Sequence, residues 1–237
     1  MRKSTSVSAS QSAATATVEN YLALLCSFER DGQTAIATRL AEQLGVSLPT
    51  ASATVKRMAR DGWISIDNKK AIHLTPEGCQ MAAMVMRRHF LIELLLRKVL
   101  DVPWSHLHSE AHALEHSISD DTLKRIQEKL DNPLTCPHGN PFPGEEKAVA
   151  HWVKLVQLQP GDRAVIRRIH ELAEDSSDLL VFLENNALMP GTEIMVRNVM
   201  PFNETMMVEA GGQPVVLGLG VAKWIYVEPI KQVRVRR

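Results

Sequence analysis

Apolar residues recur at helical spacing from Val18 to about residue 60. Five of them share one face of a first helix: Val18, Tyr21, Leu22, Leu25 and Phe28. This helix begins near Thr17 and ends at Gly32. A second helix over 35–44 follows Thr34, which can cap it, and a third covers 49–61. The pattern predicts three short helices joined by tight, glycine-containing turns.

Alternating apolar and polar positions follow the third helix. The stretches WISID and KAIHLT flank Asn68-Lys69 and predict a small hairpin. Pro76 then opens a long helix through Leu100, and its apolar surface is wider than a lone surface helix needs. We therefore expect it to pack against another helix or another subunit. Two further helices fit residues 104–118 and 119–131.

The last eighty residues have a different pattern. Five short β-rich runs are separated by Gly, Pro and Asn turns, and one helix near 177–187 interrupts them. This predicts a small barrel. Between the two halves, residues 132–146 are rich in proline and form either a linker or an ordered strap. The predicted fold is mainly α, with small β parts.

Composition adds little to this picture. The chain has 237 residues, 45% hydrophobic, and a formal net charge of zero, which gives no argument for nucleic acid or an anionic membrane. Residues 1–75, however, carry nine basic and six acidic residues, whereas 76–145 carry seven and ten. The three cysteines are too few and scattered for a disulfide framework. With no secretory signal and no long apolar stretch, the expected location is cytoplasmic.

Helix, turn, helix and hairpin in this order indicate a winged helix-turn-helix. The third helix, capped by Ser47 or Thr50, begins with small polar residues that can approach base edges. Its later turns and the hairpin tip carry candidates for phosphate contacts: Lys56, Arg57, Arg60, Lys69 and Lys70. A single basic residue of this kind usually belongs to a solvated helix face. The whole arrangement of helices, hairpin and basic residues, however, favours DNA binding. Because Ala51 and Ala53 sit where longer side chains might contact bases, DNA shape should contribute to specificity.

The stretch LHSEAHALEHS, residues 107–117, places three histidines four residues apart. With His108 at zero on an α-helix, His112 lies at about 40°, Glu115 at about −20° and His116 at about 80°. Glu110 lies at about 200°, so the stretch lacks the glutamate of an H-E-x-x-H zinc hydrolase on the histidine face. His108 and His116 are roughly 12 Å apart along the axis, so two sites are expected.

Two other pairs of possible metal ligands lie nearby. His89 and Glu93 are spaced i,i+4 in an apolar stretch, and Cys136 and His138 share the segment TCPHG. Taken alone, a pair such as His89 and Glu93 is most often a contact on a helix surface. A Cys-Pro-His loop taken alone does not indicate a metal site. Together with the histidines of 107–117 they favour metal binding. This donor mixture suits iron, manganese or zinc rather than calcium.

These motifs resemble the diphtheria toxin repressor family of metal-dependent regulators. The resemblance rests on six stretches within about residues 18–144: ENYLALL, LGVSLPTASATVKRMARDGW, LTPEG, MRRHFLIE, HSEAHALEHSISDD and CPHGNPFPG. It implies a homodimeric repressor that binds a palindromic DNA operator when a divalent metal is bound. It also implies that the C-terminal β-rich part is the SH3-like domain of the family, which is related to ferrous-transport accessory domains.

The sequence pattern and the resemblance together divide the chain as follows: a flexible tail 1–16, which is mostly Ser, Thr and Ala, a winged helix-turn-helix 17–75, a helical dimerisation and metal-binding domain 76–136, a proline-rich linker 137–154, and an SH3-like small β-barrel 155–237. On the DNA side, the base-proximal positions of the family fall at Ser47, Pro49, Thr50 and Ala53, and we add Ser52. Arg39 and Arg60 match phosphate contacts.

The resemblance also implies two metal sites. The primary site would use Asn20, His112, Glu115 and His116, and the second His89, Glu93 and His108, with Cys136 and His138. An acidic ligand from the SH3-like domain would come from Glu174, Asp175 or Asp178. Asn20 and His112 stand where iron sensors carry Met and Cys and manganese sensors carry Asp and Glu. The pattern of neither sensor type is therefore complete, and the loss of two potential anionic ligands should weaken Mn(II) binding and favour a site tolerant of iron or zinc. The resemblance itself implies Fe(II) or Mn(II) as the metal, with Zn(II) as an alternative.

Two other functions are open on the sequence. The histidine cluster could belong to a metalloenzyme, although neither an open coordination position nor a base on the same face is apparent. Alternatively, a winged-helix regulator could respond to an organic ligand, and the histidines would then be structural. We therefore expect the protein to be a DNA-binding regulator rather than an enzyme.

Overall fold

Two units make up the chain in the computed structural model, which describes residues 14–230. They are Met1–Val85 and Met86–Arg237, and the boundary falls inside one long helix. Most of the predicted flexible tail, residues 1–13, lies outside the described residues. The side chain of Thr15 caps the first helix by accepting from the amide of Val18.

The first unit contains three helices, a hairpin and the start of the long helix. Its elements are α1 (Ala16–Arg30), α2 (Ala37–Gln43), α3 (Leu48–Arg60), β1 (Ile64–Ile66), β2 (Ile72–Leu74) and α4 (Pro76–Val99), which continues into the second unit. The helix boundaries follow the sequence signals closely. One exception is the start of α2, where Thr34 does not act as the cap. Ala35 pairs with Ile72 in an isolated bridge, so the helix begins only after Ile36.

Helix α3 buries one face and exposes the other. Ala51, Thr54, Val55 and Met58 are buried, at the spacing of an amphipathic helix. Ser47 is its cap, since its hydroxyl accepts from the amide of Thr50 at 3.3 Å. Ala51 is fully buried, which corrects the expectation that it stands where a longer side chain could contact bases. The exposed surface therefore carries the polar N-terminus and the basic later turns.

The hairpin after α3 is short and antiparallel, with Ile64 opposite Leu74. Asp67 organises its tip: one carboxylate oxygen accepts from the amides of Lys69 and Ala71, each at 2.8 Å. Lys70 adopts the left-handed conformation at φ 64°. This turn places both lysines of the tip at the surface.

The helical part of the second unit consists of the end of α4 and three further helices, α5 (Leu107–Leu114), α6 (Asp120–Lys129) and α7 (Glu146–Val149). The predicted helix over 104–118 is broken. It consists of a 3-10 turn at Trp104–His106, then α5, then a second 3-10 turn at Glu115–Ser117. Glu115 and His116 therefore lie on the tighter turn rather than on the α-helix assumed from the sequence.

A six-stranded antiparallel sheet forms the C-terminal part, one strand more than predicted. Its strands are β3 (Val153–Lys154), β4 (Arg163–Ile169), β5 (Glu193–Met200), β6 (Thr205–Ala210), β7 (Gln213–Gly218) and β8 (Ile225–Pro229), in the order β3-β8-β4-β5-β6-β7. The short helices α8 (Glu171–Glu174), α9 (Ser177–Asn185) and α10 (Leu219–Ala222) connect them. Alternate residues such as Ile166, Val196 and Val208 are fully buried.

The proline-rich segment forms an ordered strap over residues 134–142. Its ends pair where the amide of Phe142 donates to the carbonyl of Leu134 at 3.0 Å, and Cys136 donates to Asn140 at 2.9 Å. The strap packs on β4, because the carbonyl of His138 accepts from Ile169 at 2.8 Å. Of the two sequence alternatives, the ordered strap is confirmed. The predicted linker boundary at residue 137 falls inside it.

Among the described residues, no helix is long and apolar enough to cross a membrane.

Candidate metal centre

Glu115 is the centre of a first cluster in the second unit, and its side chain is only 4% exposed. One carboxylate oxygen, Oε1, lies 2.9 Å from Nδ1 of His112 and 3.4 Å from Nε2 of His116. The other, Oε2, lies 2.8 Å from Nδ1 of His89. The structure thus brings together three of the four predicted primary residues. It adds His89, which the sequence assigned to the second site alone.

A second cluster forms around Glu93, which is fully buried in α4. Nε2 of His89 lies 3.2 Å from Oε1 of Glu93 and 3.1 Å from Nδ1 of His108. The same nitrogen of His108 lies 3.1 Å from Oε2 of Glu174, at the end of α8. Glu174 is thus the acidic residue from the C-terminal part that joins the cluster. Asp175 lies at its edge, 3.3 Å from Nε2 of His108.

The strap supplies a third group of donors. Cys136 and His138 are buried beside Glu93, and Nδ1 of His138 lies 3.2 Å from Oε1 of Glu93. The donor atoms of Glu93, Cys136 and His138 all lie within 4.8 Å of one another. The same holds for the sets His89, Glu93, His108, Glu174 and His89, His112, Glu115. Every predicted ligand between residues 89 and 138 thus lies in or beside one of these groups.

Charges within the clusters are mutually compensated. Burial alone would lower the pKa of His89, but hydrogen bonds to Glu115 and Glu93 outweigh it and raise this pKa to about 9. Burial would likewise lower the pKa values of His108 and His138, yet the neighbouring carboxylates raise both. Burial would raise the pKa of Glu93, but the charge of His138 and the imidazole hydrogen bonds hold it well below its usual range.

The thiol of Cys136 behaves differently. Burial raises its pKa well above the usual value, and the charges of Glu93 and Glu174 add to this effect. Two carboxylates beside a buried sulfur disfavour the thiolate. A divalent cation in the same space would reverse that balance, since a coordinating thiol is deprotonated.

Several buried atoms of these residues lack the hydrogen bonds that burial normally requires. Within the described chain they include Oε2 of Glu93, both ring nitrogens of His138, and Oε2 of Glu174. Two of them still have an ion-pair contact: Nδ1 of His138 with Glu93 at 3.2 Å and Oε2 of Glu174 with His108 at 3.1 Å. A buried polar atom without a hydrogen bond costs about 1–3 kcal/mol. All four atoms belong to residues of the second and third groups, and all are metal-binding types. The residues present therefore fit a divalent transition metal.

Two residues outside the clusters hold Glu174 in place. Asn140, fully buried in the strap, donates from Nδ2 to Oε1 of Glu174 and to the carbonyl of Ile169. Arg168 of β4 donates to Oδ1 of Asn140. Ligand carboxylates are commonly oriented by such outer hydrogen bonds. Sequence analysis missed both residues, because nothing local in the sequence connects residue 140 to residue 174.

Two further predicted metal ligands remain. Asn20 lies half-buried on α1 of the first unit, and its role as a ligand stays a prediction. Asp178 is exposed in the first turn of α9 and belongs to none of the three groups.

The predicted DNA contacts lie mostly on the exposed side of the first unit. Exposed residues are Ser47, Pro49, Thr50, Ala53, Lys56, Arg57, Arg60 and Lys69. Ser52 and Arg39 are half-buried. Arg39 already has partners, because its guanidinium donates to the carbonyl of Thr34 at 3.0 Å and stacks over Phe28. Helix α3 thus presents a polar tip, then a basic side.

A winged helix, a helical segment bearing clustered His and Glu side chains, and a small antiparallel sheet are the architecture of a metal-dependent DNA-binding regulator. Three family models match these parts: the iron dependent repressor N-terminal DNA binding domain over residues 13–72, the iron dependent repressor metal binding and dimerisation domain over 75–144, and the FeoA domain over 153–229. The matches follow the same order as the predicted domains.

Individual relatives of the chain are repressors of the same kind as the family models describe. The iron-dependent repressor IdeR of Mycobacterium leprae is 35% identical over 225 residues, covering 90% of this chain and 97% of the relative. The diphtheria toxin repressor of Corynebacterium efficiens is 32% identical, covering 81% and 90%. A manganese-dependent transcriptional repressor solved in complex with manganese superposes with a TM-score of 0.76 at 28% identity, covering 90% and 100%.

The chain belongs to the iron-dependent repressor family, which includes the diphtheria toxin repressors. This confirms the family resemblance drawn from the motifs. The relatives are transcriptional repressors, which confirms the expectation of a regulator rather than a metalloenzyme. The FeoA match agrees with the SH3-like assignment of the C-terminal sheet.

Proposed function

We propose that this protein is a cytoplasmic, homodimeric transcriptional repressor that binds a palindromic operator when Fe(II) or Mn(II) occupies its metal sites. The observation that carries the proposal is the convergence of buried carboxylates and imidazoles on the same spaces. Glu115 is contacted by three imidazole nitrogens, and Glu93 by two within 3.2 Å. A family member with such clusters is best explained as a metal-responsive regulator.

In this proposal the first cluster is the primary site. His112, Glu115 and His116 would hold the ion, with Asn20 from α1 completing the set. The second site would use His89, Glu93, His108 and Glu174, together with Cys136 and His138. A bound divalent ion supplies positive charge that replaces the protons now shared among these groups. The expected preference is Fe(II) or Mn(II), with Zn(II) tolerated because imidazole and thiolate also suit zinc.

On the DNA side, α3 would enter the major groove. Its capped N-terminus, with Ser47, Pro49, Thr50 and Ser52, would approach the bases, and Lys56, Arg57, Arg60, Lys69 and Arg39 would contact phosphates. We also propose the predicted domain division, 17–75, 76–136 and 155–237, as the division of labour. Metal can activate DNA binding only by binding the DNA-competent conformation more tightly than the other conformation.

Selection of binding sites from a random duplex DNA pool, followed by fluorescence anisotropy, tests this function. Binding is measured with Fe(II) under anaerobic conditions, with Mn(II), with Zn(II), and with a chelator. The expected result is tight binding with metal and its loss with chelator. His116→Ala should abolish the metal-dependent part, and His108→Ala should weaken it less.

Equal affinity with and without chelator would reject the proposal. It would instead favour the alternative in which an organic ligand is the signal. Unchanged metal dependence in both histidine variants would reject the site assignment alone.

A further inference from the structure

Trp104 begins the 3-10 turn that leads into α5, and three parts of the second unit meet at it. The residue is buried, with 3% of its surface exposed. Its backbone amide donates to Oε1 of Glu184 in α9 at 3.0 Å. Its indole Nε1 donates to the carbonyl of Pro137 in the strap at 3.0 Å, and its ring centre lies 4.7 Å from that of His138. Trp104 therefore links the helical segment, the strap and the sheet part.

Glu184 caps this turn from a distant part of the chain. Pro103, the residue before the turn, makes no side-chain cap bond, which leaves the first amides of the turn to an acceptor from elsewhere. Oε1 of Glu184 accepts from the amide of Trp104, and Oε2 accepts from the amide of Ser105 at 3.2 Å and from its hydroxyl. Burial would raise the pKa of Glu184, but the hydrogen bonds from Ser105 and Trp104 lower it below its usual value. A charged carboxylate thus holds the start of the turn against α9.

The orientation of His138 depends on this neighbour. A metal-binding histidine is usually oriented by a hydrogen bond from its second ring nitrogen to a carboxylate, a carbonyl or water. Within the described chain neither ring nitrogen of His138 has a hydrogen bond, although Nδ1 lies 3.2 Å from Oε1 of Glu93. The ring of Trp104 packs against the imidazole at an angle of 52°, and its indole holds the carbonyl of the preceding residue. These two contacts restrict the rotation of the imidazole.

We propose that Trp104 is a positioning residue for His138, and that Glu184 holds Trp104 in the position that this requires. Docking of α9 on the helical segment therefore sets the metal affinity of the strap, because the imidazole is oriented only while the turn is held. The proposal rests on the proposed function, in which Cys136 and His138 are ligands of the second site. Trp104 and Glu184 belong to none of the ligand groups and act through His138.

Cobalt(II) titration of the full chain tests the proposal, because a thiolate bound to Co(II) gives a sulfur-to-metal charge-transfer band. Cys136→Ser identifies the part of the band that comes from the strap. Trp104→Leu removes the ring, and Glu184→Gln removes the charge and one of the two acceptor oxygens. Each should lower the Co(II) affinity measured by this band by about 10-fold to 100-fold, the usual effect of losing a residue that orients a ligand. Trp104→Phe keeps a ring against His138 and should lose less affinity than Trp104→Leu.

Two substitutions in the same unit are matched controls. Trp152→Leu removes an indole that forms a ring pair with His151 at 5.9 Å, and neither residue belongs to the ligand groups. Glu193→Gln neutralises a carboxylate that pairs with Arg163 of β4. Both should leave the Co(II) affinity unchanged.

Hydrogen exchange of the metal-free protein separates positioning from a general loss of stability. In Glu184→Gln the amide of Trp104, which loses its charged acceptor, should exchange faster. The amide of Cys136, which donates to a carbonyl within the strap, should also exchange faster. The amide of Ile166 in β4, which is hydrogen-bonded within the sheet part, should exchange at an unchanged rate.

Unchanged Co(II) affinity in Glu184→Gln and Trp104→Leu would overturn the proposal. A loss of affinity accompanied by equally faster exchange at Ile166 would also overturn it, because the two residues would then only stabilise the fold. If Trp104→Leu does not fold, Glu184→Gln decides alone, since its side chain is only half-buried. An unsubstituted chain without a Cys136-dependent band would reject the strap as a ligand and this proposal with it. Neither measurement contains DNA, so a failure of metal-dependent operator binding would reject the proposed function without changing these results.

Discussion

His89 occupies a special position, because its two ring nitrogens face different clusters. Nδ1 lies 2.8 Å from Glu115, and Nε2 lies 3.2 Å from Glu93. A protonated ring donates to both carboxylates, which is why its pKa rises to about 9 despite complete burial. In the metal-free protein this single imidazolium therefore neutralises part of both sites.

The sequence predicted His89 as a ligand of the second site, but it did not predict that His89 contacts both clusters. Its spacing from Glu93 is visible in the i,i+4 pattern, whereas its contact with Glu115 crosses 26 residues. Helix periodicity gives the direction of a side chain on its own helix and says nothing about which residue faces it. The break of α5 at Leu114 adds to this, because it moves Glu115 onto a 3-10 turn.

The raised pKa of His89 predicts a pH dependence of stability in the metal-free protein. Its folded pKa of about 9 lies above the unfolded value near 6.5. The contribution is therefore fully present below about pH 6.5 and is lost as pH rises through about 9. The loss should be at most on the order of 3 kcal/mol. Denaturant unfolding with chelator, followed from pH 6 to 10, measures it.

Glu115→Gln should weaken this pH dependence, because it removes the charged hydrogen-bond acceptor of the strongest single hydrogen bond that raises the pKa of His89. Glu110→Gln is the matched control, since Glu110 is exposed on α5. It should leave the profile unchanged. A metal-free protein whose stability is constant between pH 6 and 10 would contradict the assigned role of His89.

At the scale of elements, local signals predicted what local interactions determine. Ser47 before α3, the glycines after the first three helices and the alternating hairpin all agree with the structure, since each is decided within a few residues. The strap is the opposite case. Its proline-rich sequence permits either a linker or an ordered segment, and contacts with β4, about thirty residues away, decide between them.

Gly139 shows how closely the strap approaches β4. Its φ is +89°, and a Cβ added there would lie 1.9 Å from the carbonyl oxygen of Arg167. Gly139→Ala should therefore destabilise the second unit by more than the conformational penalty alone. It should also lower the metal affinity of the second cluster, because the strap carries Cys136, His138 and Asn140. Thermal unfolding and metal titration measure the two effects.

Gly144→Ala provides the matched control for this substitution. Gly144 has a similar φ of +100°, but a Cβ there meets no atom within 4 Å. It should cost only the left-handed penalty of about 1–2 kcal/mol. Gly139→Ala should cost at least about 2 kcal/mol more, because the overlap with backbone forces the strap away. Equal costs would mean that the strap does not depend on this close approach.

At the scale of the whole molecule, the candidate metal centre depends on the tertiary fold. The candidate ligands around Glu93 come from α4, α5, the strap and α8, so they meet only when the helical segment and the sheet of the second unit are assembled. This explains why the sequence left three candidates for the C-terminal acidic ligand. Which of Glu174, Asp175 and Asp178 faces the cluster is set by the connection between β4 and α9, not by residue type.

An apolar groove on the helical segment is relevant to how two subunits would associate. It lies between the end of α4 and α6 and is lined by Leu95, Val99, Thr122, Arg125, Ile126, Lys129 and Leu130. Val99 in this lining is 56% exposed, and Leu100, the next residue along the chain, is 61% exposed. The family model that covers this segment describes a dimerisation domain. An exposed apolar groove in such a segment is best explained as part of the dimer interface.

Val99→Asp should therefore weaken the dimer and, with it, operator binding. A charge buried in an interface without a partner is strongly unfavourable. A palindrome engaged by two linked recognition helices loses avidity when the subunits separate, so affinity should fall at least about 100-fold. Val216→Asp is the control, since Val216 is 51% exposed on β7 and does not line the groove. Sedimentation measures the oligomeric state, and anisotropy measures the operator affinity independently of it.

If Val99→Asp remains a dimer and binds the operator normally, the groove is not the interface. If it becomes monomeric yet binds with unchanged affinity, the two-helix account of the operator is wrong, because one recognition helix would then suffice.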